Sequence, residues 1–89
     1  MARLKCFTID GVELWFYSND HRPPHFHAKR KGQWELRVKF LEFSTSEMFE
    51  VVWLKGKEAS RGDTKLLKEM AVRHRAELLE EWENKVQPQ

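Results

Sequence analysis

A single cysteine, Cys6, stands in 89 residues, so no internal disulfide can brace the fold, and a reducing cytoplasm is the expected compartment. Cys6 lies in an apolar–polar alternation and reads as a core or half-buried residue rather than a nucleophile. No apolar run approaches the ~18 residues that a membrane span needs. The start "MARLKCFTID" is basic but has no apolar h-region, so no signal peptide is expected. Internal repeats and low-complexity stretches are missing as well. Net charge is only +2, with a sequence pI near 8.8. That balance permits a nucleic-acid partner but falls short of a dedicated basic arm.

What is present is aromatic and charged. Hydrophobic residues make up 40% and aromatics 12%, including four Trp and six Phe, so one small domain can build its core largely from rings. Charged residues, at 34%, supply a soluble surface.

The clearest hairpin is "LKCFTIDGVELWFYS", where Asp10-Gly11 suits a two-residue type I′ turn. That register sets Ile9 opposite Val12 and Phe7 opposite Leu14. Phe7, Ile9, Val12, Leu14 and Phe16 then share one face, with Leu4, Cys6, Trp15 and Tyr17 on the other. After Pro23-Pro24, "HFHAKR" and "QWELRVKF" form a second hairpin about Lys31-Gly32. Its returning strand places Trp34, Leu36, Val38 and Phe40 on one face and Glu35, Arg37 and Lys39 on the other. A further strand is expected over about 48–54 and a loop over 55–62. A helix follows over about 64–85, capped by Asp63, with Leu67, Ala71, His74, Leu78 and Trp82 as its apolar stripe. Arg73, Arg75, Glu80, Glu81 and Glu83 fall on its solvated side. The reading is one α+β domain over 1–89: a small antiparallel sheet (about 3–54) of two hairpins plus a further strand, with one C-terminal helix packed on one face.

The stretches "WFYSNDHRPPHFHAKRKG" and "VRHRAELLEEW" together resemble an uncharacterised group of small bacterial proteins, the domain-of-unknown-function family 4160. The matching positions are Phe16–Asn19, Pro23–His27, and His74, Arg75, Glu77–Leu79 and Trp82 within a resemblance spanning roughly 14–83. The resemblance implies no biochemical activity. It does imply a neighbouring small gene, in arrangements like those of toxin–antitoxin pairs, and hence a small partner protein.

Three of the four histidines fall within "HRPPHFH". His25 and His27, at i and i+2, point the same way from a strand, roughly 6.6 Å apart at the backbone. If the second loop is Lys31-Gly32, they lie on the core face opposite Val38 and Leu36, within reach of His74 for a three-His zinc site. If the loop is Arg30-Lys31-Gly32, Phe26 meets Leu36 and Ala28 meets Trp34 in the core. His25 and His27 then turn outward, opposite Arg37 and Glu35. The second register is favoured because Phe26 and Ala28 are better core residues than two imidazoles and a lysine. It separates His74 from the pair, so no metal or cofactor is favoured; zinc, if held, would sit on His25 and His27. His74 is expected to be structural, and His21 to sit in the loop that places His25.

The expected function is a cytoplasmic binding module acting with its partner protein, through Trp15 and Tyr17 as an exposed aromatic patch. The same module can contact nucleic acid through Lys29, Arg30, Lys31 and Arg37. The alternative is a metal-independent ribonuclease of the toxin type. In that reading His25 and His27 serve as general acid and base, Glu35 assists, and Arg37 and Lys29 hold phosphate. Oligomeric state is left open.

Overall fold

A computed structural model of the chain describes residues 1–52 and 58–86. Among these, five strands form one antiparallel sheet in chain order: β1 (Ala2–Arg3), β2 (Glu13–Phe16), β3 (Phe26–Arg30), β4 (Trp34–Val38) and β5 (Phe49–Val51). A one-turn helix α1 (Thr45–Met48) precedes β5, and α2 (Arg61–Arg73) and α3 (Arg75–Lys85) close the chain. The fold is α+β, as expected, but with two C-terminal helices where one was read. No helix among the described residues is long and apolar enough to cross a membrane. The expected strand end at 53–54 and the first part of the expected loop lie outside the described residues.

The core joins one face of the sheet to the helices. Leu14, Phe16, Phe26, Ala28, Leu36 and Val38 pack with Leu67, Ala71, Leu78 and Trp82. The second hairpin has the expected parity with a different loop, because Ala28 lies opposite Leu36 and Arg30 opposite Trp34. The loop is therefore Lys31-Gly32-Gln33, closed by the Gln33 N–H donating to the Arg30 carbonyl at 2.9 Å. Gly32 has φ 76° and Lys31 keeps a negative φ, the pattern of a type II turn. Among the described residues a Cβ at Gly32 would meet nothing within 4 Å. Gly32→Ala should therefore cost only the left-handed backbone penalty, about 1–2 kcal/mol in urea unfolding. Gly32→Asn should cost less; an alanine variant as stable as the parent would contradict this turn geometry.

The first hairpin departs further. Ile9 bridges Val12 as read, and Gly11 alone has positive φ, which excludes the type I′ turn. Three residues past Val12 the pairing is already Arg3 with Trp15, then Ala2 with Phe16, a slip of three residues. An odd slip exchanges faces, so Leu4 enters the core rather than sharing a face with Trp15. Residues 5–8 leave the ladder, and Glu81 takes up the freed amides: Lys5 N–H and Cys6 N–H each donate to its carboxylate at 2.9 Å. Glu81 thus faces the sheet rather than water.

Ser60, not Asp63, caps α2: its Oγ accepts the Asp63 N–H at 3.1 Å, the serine–x–x–acid spacing of a capping box. Asp63 is thereby free to accept from Arg30 Nη2 at 2.8 Å and Trp34 Nε1 at 3.0 Å, tying the helix start to the second hairpin. Arg30 hydrogen bonding comes first among the influences that hold the Asp63 carboxyl below its ordinary range. The break between α2 and α3 falls on His74 (φ −106°, ψ 21°), whose ring stacks on Phe7 at 5.3 Å and pairs with Glu77 at 3.0 Å. Arg75, also read as solvated, donates to the Phe40 carbonyl at 2.8 Å.

Candidate functional site

The face of the sheet away from α2 and α3 carries a cross-strand row of Trp15, His27, Arg37 and Glu50. The connection from β2 to β3 folds back over this row. Ser18-Asn19 form the centre of a turn in which the Asp20 N–H donates to the Tyr17 carbonyl at 3.2 Å. In return, Asp20 Oδ2 accepts the Tyr17 N–H at 2.9 Å, which fixes the carboxylate. Pro23 then presents its carbonyl to His25, whose Nδ1–H donates to it at 2.9 Å. Because a carbonyl only accepts, this bond places a proton on His25 Nδ1 and leaves Nε2 as the nitrogen turned toward Asp20.

Both free edges meet Asp20. His27 Nε2 lies 3.1 Å from each Asp20 carboxylate oxygen, and His25 Nε2 lies 3.5 Å from Oδ1. Trp15 stacks on the His27 ring at 5.4 Å and Tyr17 meets its face edge-on at 4.7 Å. Burial lowers the His27 pKa below its ordinary value; Asp20 pulls it back, while His25 and Arg37 add to the lowering. A neutral His27 donates its Nε2–H to Asp20, leaving Nδ1 buried without a partner among the described residues.

An open cleft of about 430 Å³ runs past this cluster. One wall holds Asp20, Arg22 and His25; the other holds Arg37, Lys39 and Glu50. Glu50 pairs with Arg37 at 2.8 Å and Lys39 at 3.3 Å, and Lys39 leads among the contacts that hold its carboxyl below the usual range.

The expected site residues are only partly brought together. His27 is on the predicted face, whereas His25 precedes β3 and its ring lies 5.5 Å from Trp82 of α3; they are 3% and 7% exposed because the 17–25 connection covers them. Glu35 does not join them: it pairs across the strands with Lys29, and the carboxylate at the histidines is Asp20. Arg37 lines the cleft, whereas Lys29 and Lys31 line a separate groove with Glu35 and Val52. Arg30 is not free for phosphate, because Asp63 holds it on the helix side. Trp15, expected in an exposed patch, is 4% exposed under His27 and Tyr17; Tyr17 itself is 42% exposed. Asp20 was missed, although an Asn-Asp turn shortly before an H-x-H strand is a signal that could have found it.

Fold and site define a small α+β domain with helices on one face of a five-stranded sheet and a histidine–aspartate cleft on the other. The chain belongs to the family described as a domain of unknown function (DUF4160), whose model matches residues 11–83. No curated protein and no solved structure matches it.

Proposed function

We propose that the chain is a binding module for a phosphate-bearing strand, single-stranded RNA first, held in the cleft between Asp20–His25 and Arg37–Lys39. The observation that carries this reading is the convergence of Arg22, Arg37 and Lys39 on one cleft; Tyr17, half-exposed, packs on the His27 ring of the same cluster. Cations supply the phosphate attraction, and the exposed part of Tyr17 is the aromatic surface on which a base of the bound strand would stack. Glu50 orients two of the cations and lowers their net charge, so binding of moderate, salt-sensitive affinity is expected.

Fluorescence anisotropy with a short RNA oligonucleotide, repeated over a salt series, tests this. Arg37→Ala and Lys39→Ala should each weaken binding and reduce the salt slope by about one. Tyr17→Ala should cost about 1–3 kcal/mol of affinity at constant salt slope. Lys65→Ala, on the exposed side of α2, serves as the control and should change nothing. An Arg37→Ala/Lys39→Ala double variant that binds like the parent would refute the reading.

A second reading, RNA cleavage, is favoured by one observation: His25 lines the cleft with the Asp20 carboxylate at its Nε2. His27 is too buried to act as a separate acid or base, so the histidine pair would not divide the roles between them. Cleavage predicts that His25→Gln stops product formation while RNA affinity is kept.

A further inference from the structure

We propose that Asp20, His25 and His27 bind one divalent transition-metal ion, zinc being the closest chemical match, with a further coordination position open to the cleft. One carboxylate and two imidazoles are a common ligand set for such ions. Tetrahedral zinc with bonds of about 2.0–2.1 Å sets its ligand atoms roughly 3.3 Å apart. Here His27 Nε2 and His25 Nε2 lie 3.1 and 3.5 Å from Asp20 Oδ1, and the three ligand atoms all fall within 4.8 Å of one another.

The hydrogen bonding points the same way. With a proton held on His25 Nδ1 by the Pro23 carbonyl, Nε2 is the nitrogen turned to the carboxylate oxygen and to any shared ion. A ring nitrogen and a carboxylate oxygen that close, both largely shielded from water, are bridged by a proton or by a shared metal cation, and the third ligand at His27 makes the latter possible. Two of the three ligands are held from behind by hydrogen bonds, as metal ligands usually are: Asp20 by the Tyr17 N–H and His25 by the Pro23 carbonyl; His27 is fixed by stacking on Trp15. Asp20 and His25 line the cleft, so the remaining coordination position faces it. The nearby Arg37 charge is drawn aside by Glu50 at 2.8 Å, which lessens its repulsion of a bound ion.

Zinc binding requires His27 to surrender Nε2 to the metal, so its ring proton moves to Nδ1, while His25 keeps the Nδ1–H it already has. The test is a titration of the chelator-stripped full chain with Zn²⁺, without RNA, followed by calorimetry and by ¹⁵N NMR of the imidazole rings. The expected result is one ion per chain, a switch of His27 from the Nε2–H to the Nδ1–H form, no switch at His25, and no change at His21 or His74. Asp20→Asn and His25→Gln should each weaken binding by more than about tenfold, whereas Glu35→Gln should not. Should either variant fail to fold, the tautomer readout on the parent chain decides alone. Absence of saturable binding at one ion per chain, or an unchanged His27 tautomer at saturation, would overturn the proposal. RNA binding is assayed separately on the stripped chain, so either reading can fail without the other.

Discussion

Trp82→Ala is expected to destabilise the fold by about 3–5 kcal/mol, a fall in Tm of roughly 15 °C or more for a domain of this size. Trp82 is 1% exposed, meets Phe16 edge-on at 6.1 Å and lies 5.5 Å from the His25 ring. It therefore joins the core to the site, and its loss should disorder His25 as well as lower stability. Trp82→Phe is the informative companion. The Trp82 Nε1–H is buried with no hydrogen-bond partner among the described residues, so removing it relieves a desolvated donor while keeping most of the ring. That variant should cost under about 2 kcal/mol. Thermal and urea unfolding by circular dichroism measure both; equal losses would show that the indole N–H does have a partner.

The second large effect belongs to Glu81. Its carboxylate accepts from Lys5 and Cys6 amides and pairs with Lys85, holding the segment that leaves the first hairpin. Glu81→Ala should cost about 1.5–3 kcal/mol, since charged hydrogen bonds are lost and two amides are left to water. Burial pushes the Glu81 carboxyl up, but Lys85, the Cys6 thiol and the two amides outweigh it, so its folded-state value lies below the ordinary one. A depressed carboxylate adds stability above its unfolded-state value of about 4.3 and loses it as pH falls through the folded-state value. Glu81→Gln should therefore flatten the acid limb of the stability–pH curve. Burial first, and Glu81 second, push the Cys6 thiol up to about 12, so alkylation at pH 8 should be slow in the parent chain and faster in Glu81→Gln. A thiol that reacts at the free-cysteine rate in the parent would contradict this contact.

These contacts also show where sequence reading stops. The alternation of Trp34, Leu36 and Val38, the glycine turns and the Leu67–Trp82 stripe are local patterns, and they placed the sheet, the helical face and the parity of the second hairpin. The three-residue slip at β1 is not local: it is held by Glu81, more than seventy residues away. The helix break at His74 carries no proline or glycine, and the apolar spacing runs straight through it. Arg30 reads as a free cation until Asp63 is seen beside it, because Ser60 has taken the capping role. The site was half legible for the same reason. H-x-H on a strand fixes a shared face, but whether that face is open depends on the path of residues 17–25. Once that connection folds over, Trp15 and both imidazoles are covered and Asp20 replaces Glu35 as their carboxylate.

The central claim is that the cleft beside Asp20 and His25 is where this protein works. Chemical-shift mapping of the ¹⁵N-labelled full chain with a short RNA oligonucleotide at low salt tests it most directly. The account predicts shifts confined to Tyr17 through His25 and to Arg37, Lys39 and Glu50. Shifts centred instead on the exposed side of α2, at Lys65, Glu69 and Val72, or none at saturating RNA, would contradict it.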